Sequence, residues 1–202
     1  MRTAKWSVLI PALAVIIGCG KSDNAAPTPG KETVSLPGKS DAKGKATVGV
    51  SLLTLENPFF KVMGDAMVAE GKKQGIEVII TAGEKDPARQ KDQVKDFIVK
   101  KVSAIVLCPC DSRSVGAAIQ EANTAGIPVF TADIACLDKN AKVVSHIATD
   151  NLEGGKLAAK AMLEAIGGKG KVAIIDFPEV ESVMLRTKGF HEVMDANKNI
   201  TI

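Results

Sequence analysis

From residue 46 onward, short apolar runs alternate with amphipathic stretches of helical length, and this rhythm constrains the fold more than any other feature of the chain. The runs are Thr47–Leu53, Ile76–Thr81, Ala104–Cys108, Pro128–Thr131 and Val143–Ile147. Between them lie predicted helices near 58–74 and 87–101, and one opened by Asp111 or Ser112 and closed by Gly126. Strands alternating with helices argue a parallel sheet covered on both faces. Strands that are nearly all apolar agree, because such a sheet is buried on both sides. The prediction is a doubly wound α/β lobe over residues 46–149. The rhythm shifts at Ser145–Asn151, so a second lobe is placed at residues 150–202. It holds a helix near 152–166, a strand Val172–Asp176, a helix near 181–196 and a final Ile200–Ile202.

The first 45 residues read as targeting and tether rather than as fold. Arg2 and Lys5 precede an apolar stretch, Trp6–Ile17, that is too short to span a bilayer comfortably. Ile16-Ile17-Gly18-Cys19 then resembles a bacterial lipoprotein signal, which makes residues 1–18 a signal peptide and Cys19 the lipidated residue. An ordinary cleaved secretory signal with an incidental cysteine is the alternative. Residues 19–45 are rich in Lys, Gly, Pro, Ser and Ala and cannot bury enough apolar surface to offset their ordering entropy, so they read as a flexible tether. The chain carries 26 Lys and Arg against 23 Asp and Glu. Most of the basic excess sits in the signal and tether, and the near-balanced remainder offers no electrostatic case for nucleic acid. Lipid, rather than charge, would hold the protein at a membrane.

Three further cysteines lie in the folded region. Cys108-Pro109-Cys110 has neither a redox spacing nor a zinc spacing with partner ligands, so no metal site and no cofactor are expected. Cys108 reads as a small buried apolar residue. Cys110 and Cys136 both follow strands on the same side of the sheet, and export would permit a disulfide between them.

Catalysis has little support in the sequence. His146 lies in a strand-like run, as a structural histidine would, and His191 lies on a helix. No Gly-x-Ser-x-Gly elbow or phosphate loop follows a strand, and Gly167–Lys171 precedes one. The protein is read as a binding protein and not an enzyme. Asn57-Pro58-Phe59-Phe60, where the first strand gives way to a helix, points the same way. An amide and two rings stand where an α/β sheet opens its ligand crevice, which suits a ligand with hydroxyls and flat apolar faces. The competing reading makes Pro58 the first helical residue and one Phe a staple to the core. Neighbours on a helix point about 100° apart, so one core stripe does not readily hold both rings.

From Lys45 to Ile202 the chain resembles the periplasmic ribose-type sugar-binding proteins, the substrate-binding subunits of bacterial ABC importers. The resemblance is carried by Asn57–Phe60, Gly126–Asp133 and Ser145–Asn151, extended by Gly154-Gly155-Lys156 and Arg186–Phe190. It implies the two-lobed type I periplasmic-binding-protein fold, with each lobe a doubly wound parallel sheet and sugar held in the cleft between them. Asn57 falls on a position that hydrogen-bonds the sugar, Phe59 and Phe60 on positions that pack on its ring, and Asp133 on the sugar-binding carboxylate. Taken alone, Asp133 could be only a helix cap. Two sugar-binding arginine positions carry Ile134 and Met184 instead, and Arg186 falls on a position read as structural. Losing both guanidinium forks removes up to about ten N–H donors, so the ligand is read as other than plain ribose: a less hydroxylated or modified sugar, or another small polar metabolite.

The function implied is capture of a sugar-like ligand outside the cytoplasm, in the periplasm or cell envelope, by a monomeric lipoprotein that delivers it to a membrane permease. The alternative is a sensor that presents the bound sugar to a membrane receptor or sensor kinase. A repressor of similar architecture would need a DNA-binding segment before the first lobe, and the signal and tether occupy that place. Two lobes call for about 200–300 residues, whereas residues 46–202 supply 157. The second lobe is therefore expected to be incomplete, its apolar face open and its sugar binding weak or absent.

Overall fold

The computed structural model describes residues 45–202. The expected signal peptide, the lipidated Cys19 and the tether up to Lys45 lie outside the described residues. Strands β1 (Thr47–Leu52), β2 (Glu77–Ala82), β3 (Ala104–Leu107), β4 (Val129–Ala132) and β5 (His146–Ile147) form one sheet in the order β2-β1-β3-β4-β5. Every pairing is parallel. Crossovers run through helices α1 (Pro58–Lys73), α2 (Pro87–Val99) and α3 (Val115–Thr124). The chain moves outward from β1 to β2, then returns to build β3, β4 and β5 on the other side. The reversal opens a crevice at the carboxyl ends of β1 and β3, where ligands of such sheets bind.

The period-two alternation of each strand splits the core into two layers. Ile105, Leu107 and Val129 join Val94, Phe97, Ala118 and Ile119 of α2 and α3 on one face. Val50, Leu52 and Ala82 join Phe60 of α1 on the other, together with Cys108 and Ile134. Gly49 is required by this packing, since a Cβ there would lie 2.6 Å from the Phe97 ring.

Helix starts follow local chemistry. The Asn57 carboxamide oxygen accepts from the Phe59 amide (3.0 Å), with Pro58 at the first helical position. Asp86 caps α2 through Ala88 N (2.8 Å) and Arg89 N (3.2 Å), again ahead of a proline. Asp150 caps α4 (Asn151–Ala165) through Glu153 N at 3.0 Å. Helix α5 (Glu181–Met194) crosses α4 at contact distance. A Cβ on Gly155 would lie 2.0 Å from Arg186 O, and one on Gly189 would lie 2.0 Å from Leu152 O. The two glycines let the backbones touch.

Two expected strands are shorter in the structure. Only His146 and Ile147 of Val143–Ile147 pair, with Thr131 and Ala132, and both are exposed at the sheet edge. Val172–Asp176 is not a strand. The second sheet is instead β6 (Gly170–Lys171) beside β7 (Ile200–Thr201), parallel and two residues long. Val172 N still donates to Thr201 O (2.8 Å), but the ladder ends there and Ile175 is wholly exposed. An apolar run with no neighbour to bond has no reason to stay extended.

Candidate functional site

A cavity of about 380 Å³ opens where the crevice meets the start of α5. Leu53, Asn57, Phe59 and Phe60 line it from the β1–α1 connection, and Asp133 and Ile134 from the end of β4. Phe177, Val180, Ser182, Val183 and Arg186 close it from the α5 side.

The first wall is stiff. Thr54 Oγ1 and Leu55 N (3.2 Å) both donate to the Glu84 carboxylate, tying the loop before Asn57 to the loop after β2. Asn57 uses its oxygen as the α1 cap, and no described residue bonds its amide nitrogen. Phe60 is buried in the core layer, whereas Phe59 is 53% exposed. Their rings meet edge to face with centroids 5.1 Å apart. One ring anchors the helix, as the staple reading had it, and the other projects, as the 100° step between neighbours requires.

Asp133 is the chemical centre of the second wall. No helix follows it, so it is not a helix cap. Its backbone is left-handed (φ 64°), a conformation that short polar side chains tolerate and that clusters at functional sites. The conformation is held by Asp133 N donating to Ile147 O at 2.8 Å. Cys108 lies beneath, its thiol 4.0 Å from Oδ2. Half-burial pushes the Asp133 carboxyl above its ordinary range, while the Arg186 guanidinium and the His146 ring pull it back down. His146 itself shares a 2.8 Å hydrogen bond with Thr131 Oγ1 on the adjoining strand. Ile134 is buried against Leu53, Phe60 and Val180.

On α5, Arg186 lines the cavity and Met184 does not. At 100° per residue, Ser182, Val183 and Arg186 share one face and Met184 points to the other. Arg186, read as structural, stands across from Asp133 with no ion pair between them among the described residues. Ser182 with Arg186 at i,i+4 is a signal that could have found it.

The cysteines also need correction. Cys108, Cys110 and Cys136 are all free thiols. Cys110 Sγ donates toward Leu53 O (3.7 Å) and Cys136 Sγ toward Asp138 O (3.9 Å), so the two that export would permit to pair serve different loops. Buried Gln90 fastens the Cys108-Pro109-Cys110 segment, donating to Cys108 O (3.0 Å) and accepting from Cys110 N (2.8 Å).

Comparison with known proteins places this geometry. The family model for the periplasmic binding protein domain matches residues 48–202. The chain is 35% identical over 160 residues to the ribose import binding protein RbsB of Bacillus subtilis, covering 79% of this chain and 52% of that one. A solute-binding protein of an ABC transporter from Actinobacillus succinogenes, solved with bound D-allose, is 32% identical with a TM-score of 0.70 over 78% of this chain and 58% of that one. Another, from Bacillus halodurans with bound myo-inositol, is 25% identical with a TM-score of 0.74 over 81% and 57%. The chain thus spans about half the length of the curated relatives it matches. With the parallel sheet, the crevice at its carboxyl edge and the matched residues taken together, the chain belongs to the periplasmic binding protein family.

Proposed function

We propose that this chain is the ligand-capturing part of an extracytoplasmic lipoprotein that takes up a sugar or sugar-like polar ligand and delivers it to the permease of an ABC importer. Residues 46–149 form the first lobe and residues 150–202 begin the second, with the ligand between them. Residues 1–18 direct export, Cys19 carries the lipid, and residues 19–45 let the monomeric binding domain reach its permease. The observation that carries the reading is the convergence of Asn57, Phe59, Phe60 and Asp133 on one cavity with Arg186 opposite.

The chemistry fits a polyhydroxylated ring. The Asp133 carboxylate accepts from two neighbouring hydroxyls. Arg186 donates to the same oxygens from the other side, and the Asn57 amide nitrogen donates from the rim. Phe59 packs on the apolar face of the ring. Names of relatives that bind ribose, D-allose or myo-inositol support a ligand of this size and polarity. Ile134, apolar and buried, faces a part of the ligand that carries no hydroxyl, and Met184 stands behind the wall rather than in it.

Thermal shift with D-ribose, D-allose and myo-inositol tests the reading. A millimolar Kd, which is about −4.1 kcal/mol, gives about 1.4 kcal/mol of stabilisation at tenfold excess ligand. In a domain of this size that raises Tm by about 3–6 °C. A shift with one of these probes that disappears in Asp133→Asn supports the site. An equal shift in the variant refutes it.

A further inference from the structure

Helix α5 begins on an apolar residue, with no polar side chain of its own segment at the cap. Asn57, Asp86 and Asp150 cap α1, α2 and α4, and Asp111 closes the turn ahead of α3 through Arg113 N (3.0 Å) and Ser114 N (2.6 Å). The cap position of α5 is Val180, whose side chain has no oxygen to offer. The first helical amide, Glu181 N, instead donates to Ser112 Oγ at 2.9 Å, a residue 69 positions earlier in the β3–α3 loop. The contact is reciprocated two residues upstream, where Ser112 N donates to Glu179 O at 3.0 Å. Ser112 is wholly buried, and its carbonyl accepts from Leu137 N (2.7 Å), so its backbone is fixed from a third side.

We infer that Ser112 is a positioning residue of the binding cleft: it caps α5 from across the crevice and so sets where Arg186 stands relative to Asp133. Three features carry this. Ser112 does not cap its own helix: the turn before α3 is closed by Asp111, which accepts from Arg113 N, Ser114 N and Ser114 Oγ (2.7 Å), and the Ser112 hydroxyl is left for α5. The two bonds form a clamp around Val180, which is buried in the same layer as Leu53, Phe60 and Ile134. Arg186 follows on the helical face that begins at Ser182, one turn beyond the clamp, so a small change in the tilt of α5 moves the guanidinium most. A buried serine that meets both the carbonyl before a helix and the amide at its start makes a polar latch between the β3–α3 loop and the α5 side of the cavity. Separating the two strands a buried hydroxyl and a helix amide together.

Amide hydrogen exchange on the whole chain tests the latch without any ligand. Ser112→Ala is expected to speed exchange at Glu181, Val183 and Met184 about tenfold, within the range that loss of an N-cap produces, while the α3 amides change less than twofold. Ser112→Thr, which keeps the hydroxyl, is expected to restore most of the protection, and Ser114→Ala is expected to leave α5 as it was. Glu181→Pro approaches the latch from the other side. It deletes the donor at a first helical position that favours proline, and Val180 (φ −117°, ψ 132°) already has the backbone a following proline demands. In that background Ser112→Ala is expected to have no further effect at Val183 and Met184. Unchanged α5 exchange in Ser112→Ala, equal loosening of α3, or additive effects of the two substitutions would overturn the inference. Its consequence for ligand rests on the binding reading above: for a sugar the wild type binds, Ser112→Ala should raise Kd about tenfold, and an unchanged Kd would refute the positioning role. The exchange result decides the latch whether or not the wild type binds a sugar.

Discussion

Asp133 combines a backbone demand with a chemical one, and substitutions there separate the two. At φ 64° a side chain without a short polar group pays roughly 1–2 kcal/mol for the left-handed conformation. Asparagine tolerates that region and glycine is free in it. The expected stability order is therefore Gly and Asn above Ala, with Ala lower by about 1 kcal/mol, or about 2–4 °C in Tm for a domain of this size. Binding should follow a different order. A hydrogen bond to a charged group contributes about 1.5–3 kcal/mol, so replacing the carboxylate by Asn or Gly should weaken a bound sugar by about 10- to 150-fold at neutral pH. The carboxyl is raised by burial, which sets the sign of the pH dependence. A group raised on folding contributes its stabilisation below its unfolded pKa and loses it as pH rises through the folded value. Wild type should thus lose stability relative to Asp133→Asn as pH rises through that window, while its ligand affinity increases as the carboxylate ionises. Urea denaturation from pH 3 to 8, beside calorimetric titration of the same proteins, reads both. Ala as stable as Asn would refute the backbone argument, and a stability difference independent of pH would refute the burial argument.

Other expectations follow from single contacts. Gly189→Ala puts a methyl 2.0 Å from Leu152 O and must push α4 and α5 apart; denaturation should show a loss of about 1–3 kcal/mol, against little change for Gly154→Ala, where the space is open. Burial pushes the Cys110 thiol up to about 11 and Cys108 higher still, so a thiol reagent at pH 8 should label the half-buried Cys136 first and the other two only on unfolding. Cys19→Ser should release the protein from the membrane fraction; unchanged fractionation and mass would count against the anchor.

Much of this molecule was legible in the chain because it depends on neighbours in sequence. Apolar runs of strand length between amphipathic helices determined a parallel α/β sheet, and Asn57-Pro58 and Asp86-Pro87 marked helix starts, since caps act over two or three residues. That Asn57, Phe59 and Phe60 lie at the crevice was likewise legible, because strand ends determine where a doubly wound sheet opens, whereas Asp133 was singled out by the family resemblance. What the sequence could not determine are matters of which partner arrives. Local spacing allowed either ring of Phe59-Phe60 to be the buried one, and packing against Val50 and Leu52 decided for Phe60. Which residues of α5 face the cavity depends on the rotation of the helix, set by the Gly155 and Gly189 crossing and by Val180 in the core, and that rotation brings Arg186 rather than Met184 to the lining. Val172–Ile175 has the composition of a strand, yet a strand exists only where another backbone lies beside it, and β7 pairs two residues. The bond from Ser112 to Glu181 joins positions whose proximity no local pattern encodes. Short-range chemistry names the elements and their ends, whereas contacts between distant segments decide which faces meet.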